Sequence, residues 1–330
     1  MALQDDGGGN RFLSAANGKR GFGLTAGRGL RQAARAATRP VAPPIPFREI
    51  WRYLKYLVLR AIILMLAPVP FRARRALGSG LVRLLGPMSK HKSGIMHQNL
   101  AQALPELSEA ERDQIARDVW GAIGAFNVEL YSPRDLRRQL PKTDVSGPGL
   151  DVMRKAHAEG RGVLVLTGHF GQWEMIRLHL TTLGIPCGGM YKEHSNRFYS
   201  RFFADALRAF GGPIVPRSAS GTRELLRALR RGHPMAMLVD QPSPEAVPLP
   251  FFGRPARTAT APAEIALKLD VPIVPVFAWR KPRGAGYEAV LEAPLKRDTP
   301  EAMMTEFNAR LEARVRENPS QWLWNYDRWK

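Results

Sequence analysis

From about residue 160 the chain alternates short apolar runs with amphipathic stretches, and this pattern constrains the fold more than any other feature. Residues 162–167 read GVLVLT and residues 235–240 read MAMLVD; similar runs cover 186–191, 213–216, 273–279 and 287–292. Helical periodicity fills the gaps at 174–183, 198–210, 221–231, 261–269 and 300–316. Short, wholly apolar strands separated by helices predict a buried sheet covered on both faces. The last two runs are joined by a Gly-rich turn at 283–286, too short for a crossover, so the strand directions should be mixed. The expected class is α/β: a mixed central sheet flanked by helices.

The segment ahead of this pattern has a different character. Residues 1–42 are rich in Gly, Ala and Arg without apolar periodicity and read as a solvated basic tail. Residues 43–92 form a second segment, whose 48–67 stretch is REIWRYLKYLVLRAIILMLA. Here Arg48, Arg52 and Lys55 share one helical side, and Leu54, Leu57, Val58, Leu64 and Met65 the other. The uninterrupted apolar run 61–67 is far short of the roughly 20 residues a span requires. A basic amphipathic helix in the membrane interface, or a short span with snorkelling arginines, fits this stretch. Trp51, Tyr53 and Tyr56 are placed as interfacial aromatics would be. Residues 93–330 then make the main domain, entered through a capping box at Ser108-Glu109-Ala110-Glu111.

Charge narrows the partners. The formal net charge is +20, of which the tail supplies about +5, so the main body is itself basic and suited to an anionic partner. Nucleic acid is one such partner, but no RNA-binding aromatic signature or zinc motif is present, and none is expected to bind. The single cysteine, Cys187, excludes an intrachain disulfide and any multi-cysteine metal site, and no metal is expected.

Chemistry concentrates at GVLVLTGHFGQWE, residues 162–174. An apolar strand ends at Gly168, and His169 follows at the carboxyl end of a strand, where sites form in α/β proteins. Gly171 permits a tight turn and Glu174 opens a helix. On a continuous helix, residues five apart would lie about 140° from each other. With His169 in the preceding turn, Glu174 can instead accept from one ring nitrogen and leave the other as a base. Such a base can deprotonate a hydroxyl attacking a thioester carbonyl. The backbone amides of Gly171 and Gln172 are expected to hold the oxyanion. A hydrolase using the same pair with water is an alternative, although no Gly-x-Ser-x-Gly elbow is present. MAMLVD should deliver Asp240 to the same sheet edge, Arg257 ahead of the 261–269 helix suits a phosphate, and Trp322, Trp324 and Trp329 suit packing with some membrane contact.

Five stretches in order carry a family resemblance: HQNLAQALPE at 97–106, GHFGQWE, Tyr191-Lys192 with Arg208 and Gly211, MLVDQ with PLPFFGRPARTATAPAEIAL, and NPSQWLWNYDRWK. Together they resemble the bacterial lipid A late acyltransferases, the lauroyl/myristoyl transferase family of the lysophospholipid acyltransferase superfamily. The chain departs from that pattern at Gln172, at Lys192 and at Asn325-Tyr326-Asp327-Arg328. The resemblance implies an acyltransferase fold with an N-terminal membrane helix, at the cytoplasmic face of an inner membrane. It implies an O-acyltransferase without a cofactor, taking its acyl group from acyl-carrier protein or acyl-CoA and giving it to a lipid A precursor or related anionic glycolipid. It casts His169 as general base, Glu174 as its orienting partner and Arg208 as a substrate contact. Asp240, Gln241, Tyr191 and Lys192 would line the site.

Overall fold

Alternate residues of the central strands feed two separate cores. Leu164 and Leu166 point to one, Val165 to the other; Ile273, Phe277 and Trp279 face the first while Val274, Val276 and Ala278 face the second. This two-residue period, apolar on both faces, is what the wholly buried runs predict. A computed structural model describes residues 47–242 and 245–329, so the expected tail at 1–42 and the first residues of the 43–92 segment lie outside the described residues.

Helix α1 (Phe47–Leu66) leads through α2 (Phe71–Leu85), α3 (Lys90–Ala103), α4 (Glu109–Leu130) and α5 (Pro133–Arg137) to strand β1 (Thr143–Ser146) and α6 (Gly149–Ala158). The alternating stretch runs β2 (Leu164–Thr167), α7 (Glu174–Thr182), β3 (Gly188–Tyr191), α8 (Arg197–Arg208), β4 (Ile214–Pro216), α9 (Ala219–Arg230) and β5 (Met235–Leu238). A hairpin, β6 (Val247–Phe251) and β7 (Arg254–Thr258), is followed by α10 (Ala261–Leu269), β8 (Ile273–Arg280), β9 (Tyr287–Leu291) and α11 (Pro300–Glu317).

The main sheet has the order β1-β9-β8-β2-β5-β3-β4. All neighbours are parallel except β8 and β9, which the short turn makes antiparallel. Helices α9, α10 and α11 cover one face with Leu225, Ala263, Phe307 and Leu311; α6, α7 and α8 cover the other with Met153, Leu178 and Leu207. Each such buried Leu or Phe is worth about 1.5–3 kcal/mol. From Arg48 onward the described residues form one packed unit. Helix α2 lies close along α4, where a Cβ on Gly124 would stand 2.2 Å from the Gly78 carbonyl oxygen.

Helix α1 buries none of its residues. It leans on α8 through rings: Tyr53 meets Phe198 edge-on at 5.0 Å and Tyr56 meets Phe202 at 5.9 Å. Its outer side leaves Leu54, Leu57, Val58, Leu64 and Met65 exposed, and Leu77, Leu81, Leu84 and Leu85 of α2 are exposed as well. No helix among the described residues is long and apolar enough to cross a membrane, so the short-span alternative finds no support.

Candidate active site

Register puts the two central groups together. Parallel strands β2 and β5 pair Thr167 with Leu238, so the residues two positions beyond, His169 and Asp240, emerge side by side at the carboxyl edge. Asp240 grips the histidine twice: Oδ1 lies 2.7 Å from Nδ1, and Oδ2 accepts from the His169 backbone N–H at 2.7 Å. The indole N–H of Trp322 donates to Oδ2 at 2.8 Å. Burial alone would push the Asp240 carboxyl up. The facing His169 ring, its amide and the Trp322 indole outweigh burial and hold the carboxyl below its ordinary value. Asp240 is therefore ionised near neutral pH, which makes Nδ1 the donor of that pair and leaves Nε2 as the nitrogen with a lone pair to offer. The Gln241 amide donates to it, Nε2 to Nε2, at 3.0 Å. The imidazole is 18% exposed, open enough to be reached.

The turn carrying His169 is locked from below. Gly171 has φ +60°, and a Cβ there would lie 2.0 Å from the Ala278 carbonyl oxygen, so only glycine fits. Its N–H donates to the Gln321 carbonyl at 2.7 Å and that of Gln172 to Ala278 at 2.8 Å. Those amides were the expected oxyanion donors; both are already used to fasten the turn to β8 and to the 319–324 segment. That segment returns the contact, with Leu323 N–H donating to the His169 carbonyl at 3.1 Å. Asn99 ties it down further, donating to the carbonyls of Trp324 at 2.7 Å and Tyr326 at 2.6 Å.

Glu174 is not where the spacing predicts. Its carboxylate bonds the Arg177 guanidinium one helical turn on, and both side chains are about 4% exposed. No hydrogen bond joins it to His169, because Asp240 already occupies Nδ1 and α7 carries Glu174 inward to Arg177. Burial raises its pKa, against the pull of Arg177 and the Trp173 side chain. Trp173 in turn stands edge-on to the His169 ring at 5.2 Å and stacks on Phe126 at 4.0 Å.

His169 and Glu174 both border an open cavity of about 940 Å³. One wall is α4, with Val119, Ile123 and Phe126; another is α8, with Tyr199, Phe203 and Leu207. Tyr191, Lys192 and Gln241 also line it, as the resemblance implies. Arg208 does not. It borders a separate recess of about 520 Å³ with Tyr191, Arg197 and Arg201, and pairs with Asp205 at 2.5 Å. Arg257 is exposed on β7 and outside the cavity lining. Phe251 ends β6 and Phe252 stands in the hairpin turn; they pack on Trp322 and Trp324, and neither lines the cavity. Trp322 and Trp324 are fully buried, which corrects the expected membrane contact for these two. Sequence reasoning missed Trp322 as a ligand of Asp240 and Tyr326 as a neighbour of the histidine ring, 5.5 Å away. Nothing in the spacing of the 319–329 segment announces either. No group of three or more His, Cys, Asp or Glu among the described residues could hold a metal ion.

The family described as bacterial lipid A biosynthesis acyltransferase matches residues 45–330. The chain is similar to the lipid A biosynthesis acyltransferase of Haemophilus influenzae, 24% identical over 79% of this chain and 83% of that one. It is similar to the lipid A biosynthesis lauroyltransferase of Escherichia coli, 26% identical over 82% of this chain and 89% of that one. A phosphatidylinositol mannoside acyltransferase of Mycobacterium tuberculosis is 28% identical over 49% of this chain and 52% of its own length.

Proposed function

The chain belongs to the bacterial lipid A biosynthesis acyltransferase family, a group of O-acyltransferases, and on that premise we propose that it moves a fatty acyl chain from a thioester onto a hydroxyl of a lipid A precursor or related anionic glycolipid, with His169 as general base and Asp240 as the carboxylate that orients it. The observation that carries this is the fixed ring: Nδ1 and the backbone amide are clamped by Asp240, while Nε2 meets Gln241, which lines the same cavity as His169.

Acceptor oxygen binds Nε2 in place of Gln241. As its proton moves to Nε2, the oxygen attacks the thioester carbon and the carbonyl π pair becomes an oxyanion. Asp240 stabilises the imidazolium formed. On collapse the C–S bond breaks, the sulfur takes the proton from Nε2–H, and ester and thiol leave. The thioester is already activated, so no covalent intermediate on the protein is needed. The apolar walls of α4 and α8 suit the acyl chain, and acyl-carrier protein and acyl-CoA both present such a thioester. Glu174 is assigned a supporting task, holding Arg177 and Trp173 behind the base. The exposed apolar sides of α1 and α2, with Arg48 and Lys55 nearby, suit the cytoplasmic surface of an inner membrane. Arg223, Arg227 and Arg230 on α9, with Arg231 just past its end, are exposed and suit an anionic partner.

His169→Ala tests the base directly. Transfer measured by mass spectrometry of the acylated lipid should fall about 10²- to 10⁴-fold with the fold intact. Undiminished transfer by that variant ends the proposed mechanism.

A further inference from the structure

Acyl transfer needs donors aimed at the oxygen that becomes negative, and the four backbone amides from His169 to Gln172 are already committed. The amide of His169 donates to Asp240 at 2.7 Å, that of Phe170 to Gly168 at 2.8 Å, and those of Gly171 and Gln172 to Gln321 and Ala278. The nearest donor beside the reactive nitrogen is the Gln241 carboxamide, 3.0 Å from Nε2. Next to it stands Tyr326, whose ring centroid is 5.5 Å from that of His169, so that Gln241 and Tyr326 flank the same imidazole. Both line the cavity where the thioester must lie. Burial, and the nearby Asp240 charge, raise the Tyr326 pKa, so its hydroxyl keeps its proton.

We propose that the Gln241 carboxamide and the Tyr326 hydroxyl form the oxyanion-holding pair of this enzyme; the proposal rests on the acyl-transfer assignment above. In the resting state one Gln241 N–H caps Nε2. An entering acceptor hydroxyl takes over the Nε2 lone pair and releases that N–H. The freed N–H lies beside the base, within reach of the carbonyl under attack. As the hydroxyl proton passes to Nε2 and the C–O bond forms, the carbonyl π pair moves to oxygen and is met by Gln241 N–H and Tyr326 O–H. When the C–S bond breaks and sulfur recovers the proton from Nε2–H, the carbonyl re-forms and Gln241 returns to the ring. Gln241 thus keeps the base covered until an acceptor arrives and then serves the transition state.

The test uses the full chain in mixed micelles, with dodecanoyl-coenzyme A as donor and a lipid A precursor as acceptor, and follows thiol release at several pH values. Gln241→Ala should lower kcat about 10²- to 10³-fold, as loss of a single oxyanion donor does elsewhere. KM should stay within about threefold and the acid limb of the pH profile should not move. Tyr326→Phe should cut kcat about tenfold in the same manner. A Gln241→Ala enzyme as fast as wild type, or faster, overturns the proposal, since the amide is then only a cap. A loss accompanied by a displaced acid limb also overturns it, because Gln241 would then act through His169. His169→Ala in the same assay separates the two assignments. If it is inactive while Gln241→Ala is unimpaired, only the oxyanion pair fails; if it is fully active, the base assignment itself fails.

Discussion

At the scale of single residues the site turns on which carboxylate steers the histidine. Asp240 contacts both the ring and the amide of His169, whereas Glu174 spends its charge on Arg177. The two should therefore respond differently to removal of charge. Asp240→Asn should lose about two to four orders of magnitude in kcat, because the amide no longer enforces the Nδ1–H tautomer. Glu174→Gln should keep most of its kcat per folded molecule but lose about 3–5 kcal/mol of stability, since it leaves Arg177 buried without a counter-charge. Steady-state kinetics beside chemical unfolding distinguishes them; equal loss of kcat in both would refute the division. Asp240 also sets an acid limit. Its folded pKa lies below the ordinary aspartate value, so its stabilising contribution is full above about pH 4 and is lost as pH falls through the folded value. The Asn variant should lack that part of the acid limb. Sequence showed Asp240 and His169 at the ends of two apolar runs, and parallel register alone brings them together. It did not show the turn of Glu174 toward Arg177, because His-x4-Glu spacing does not specify the path of the four residues between.

Elements were legible where their chemistry is local. The apolar runs became β2, β3, β4, β5, β8 and β9, and the amphipathic gaps became α7 to α11, with ends moving by a few residues. Strand β1 was missed because its sequence, TDVS, is half exposed at the sheet edge. The β6–β7 hairpin was missed because two prolines interrupt β6 and its turn, Phe252-Gly253, has positive φ at both residues, one of them a phenylalanine. The β2–α7 turn is the element most exposed to a single change. Gly171→Ala would combine a left-handed conformation with a Cβ 2.0 Å from a carbonyl oxygen. We expect more than about 2 kcal/mol of destabilisation and a displaced His169, read as a lower melting temperature together with lost transfer. A variant with wild-type melting and activity would show that this turn tolerates other backbone paths.

For the molecule as a whole, the sequence announced a basic body and an amphipathic helix near residue 48, and both stand in the structure. It could not show that α1 would lie against α8, whose other residues wall the cavity, since ring contacts between distant segments leave no trace in periodicity. If the outer side of α1 meets lipid, Leu57→Glu with Val58→Glu should lower binding to anionic phosphatidylglycerol vesicles by more than about tenfold in a sedimentation assay. Both positions are exposed, so folding should be spared. Unchanged sedimentation would remove α1 from the membrane contact. The 319–326 segment has a consequence of another kind. It reaches back about 150 positions to hold the His169 turn, 82 to hold Asp240 and 225 to meet Asn99. Contacts that close such long loops form late. During biosynthesis the site is thus incomplete until the ribosome has passed residue 326 and that segment has docked, so competence to react waits on this closure.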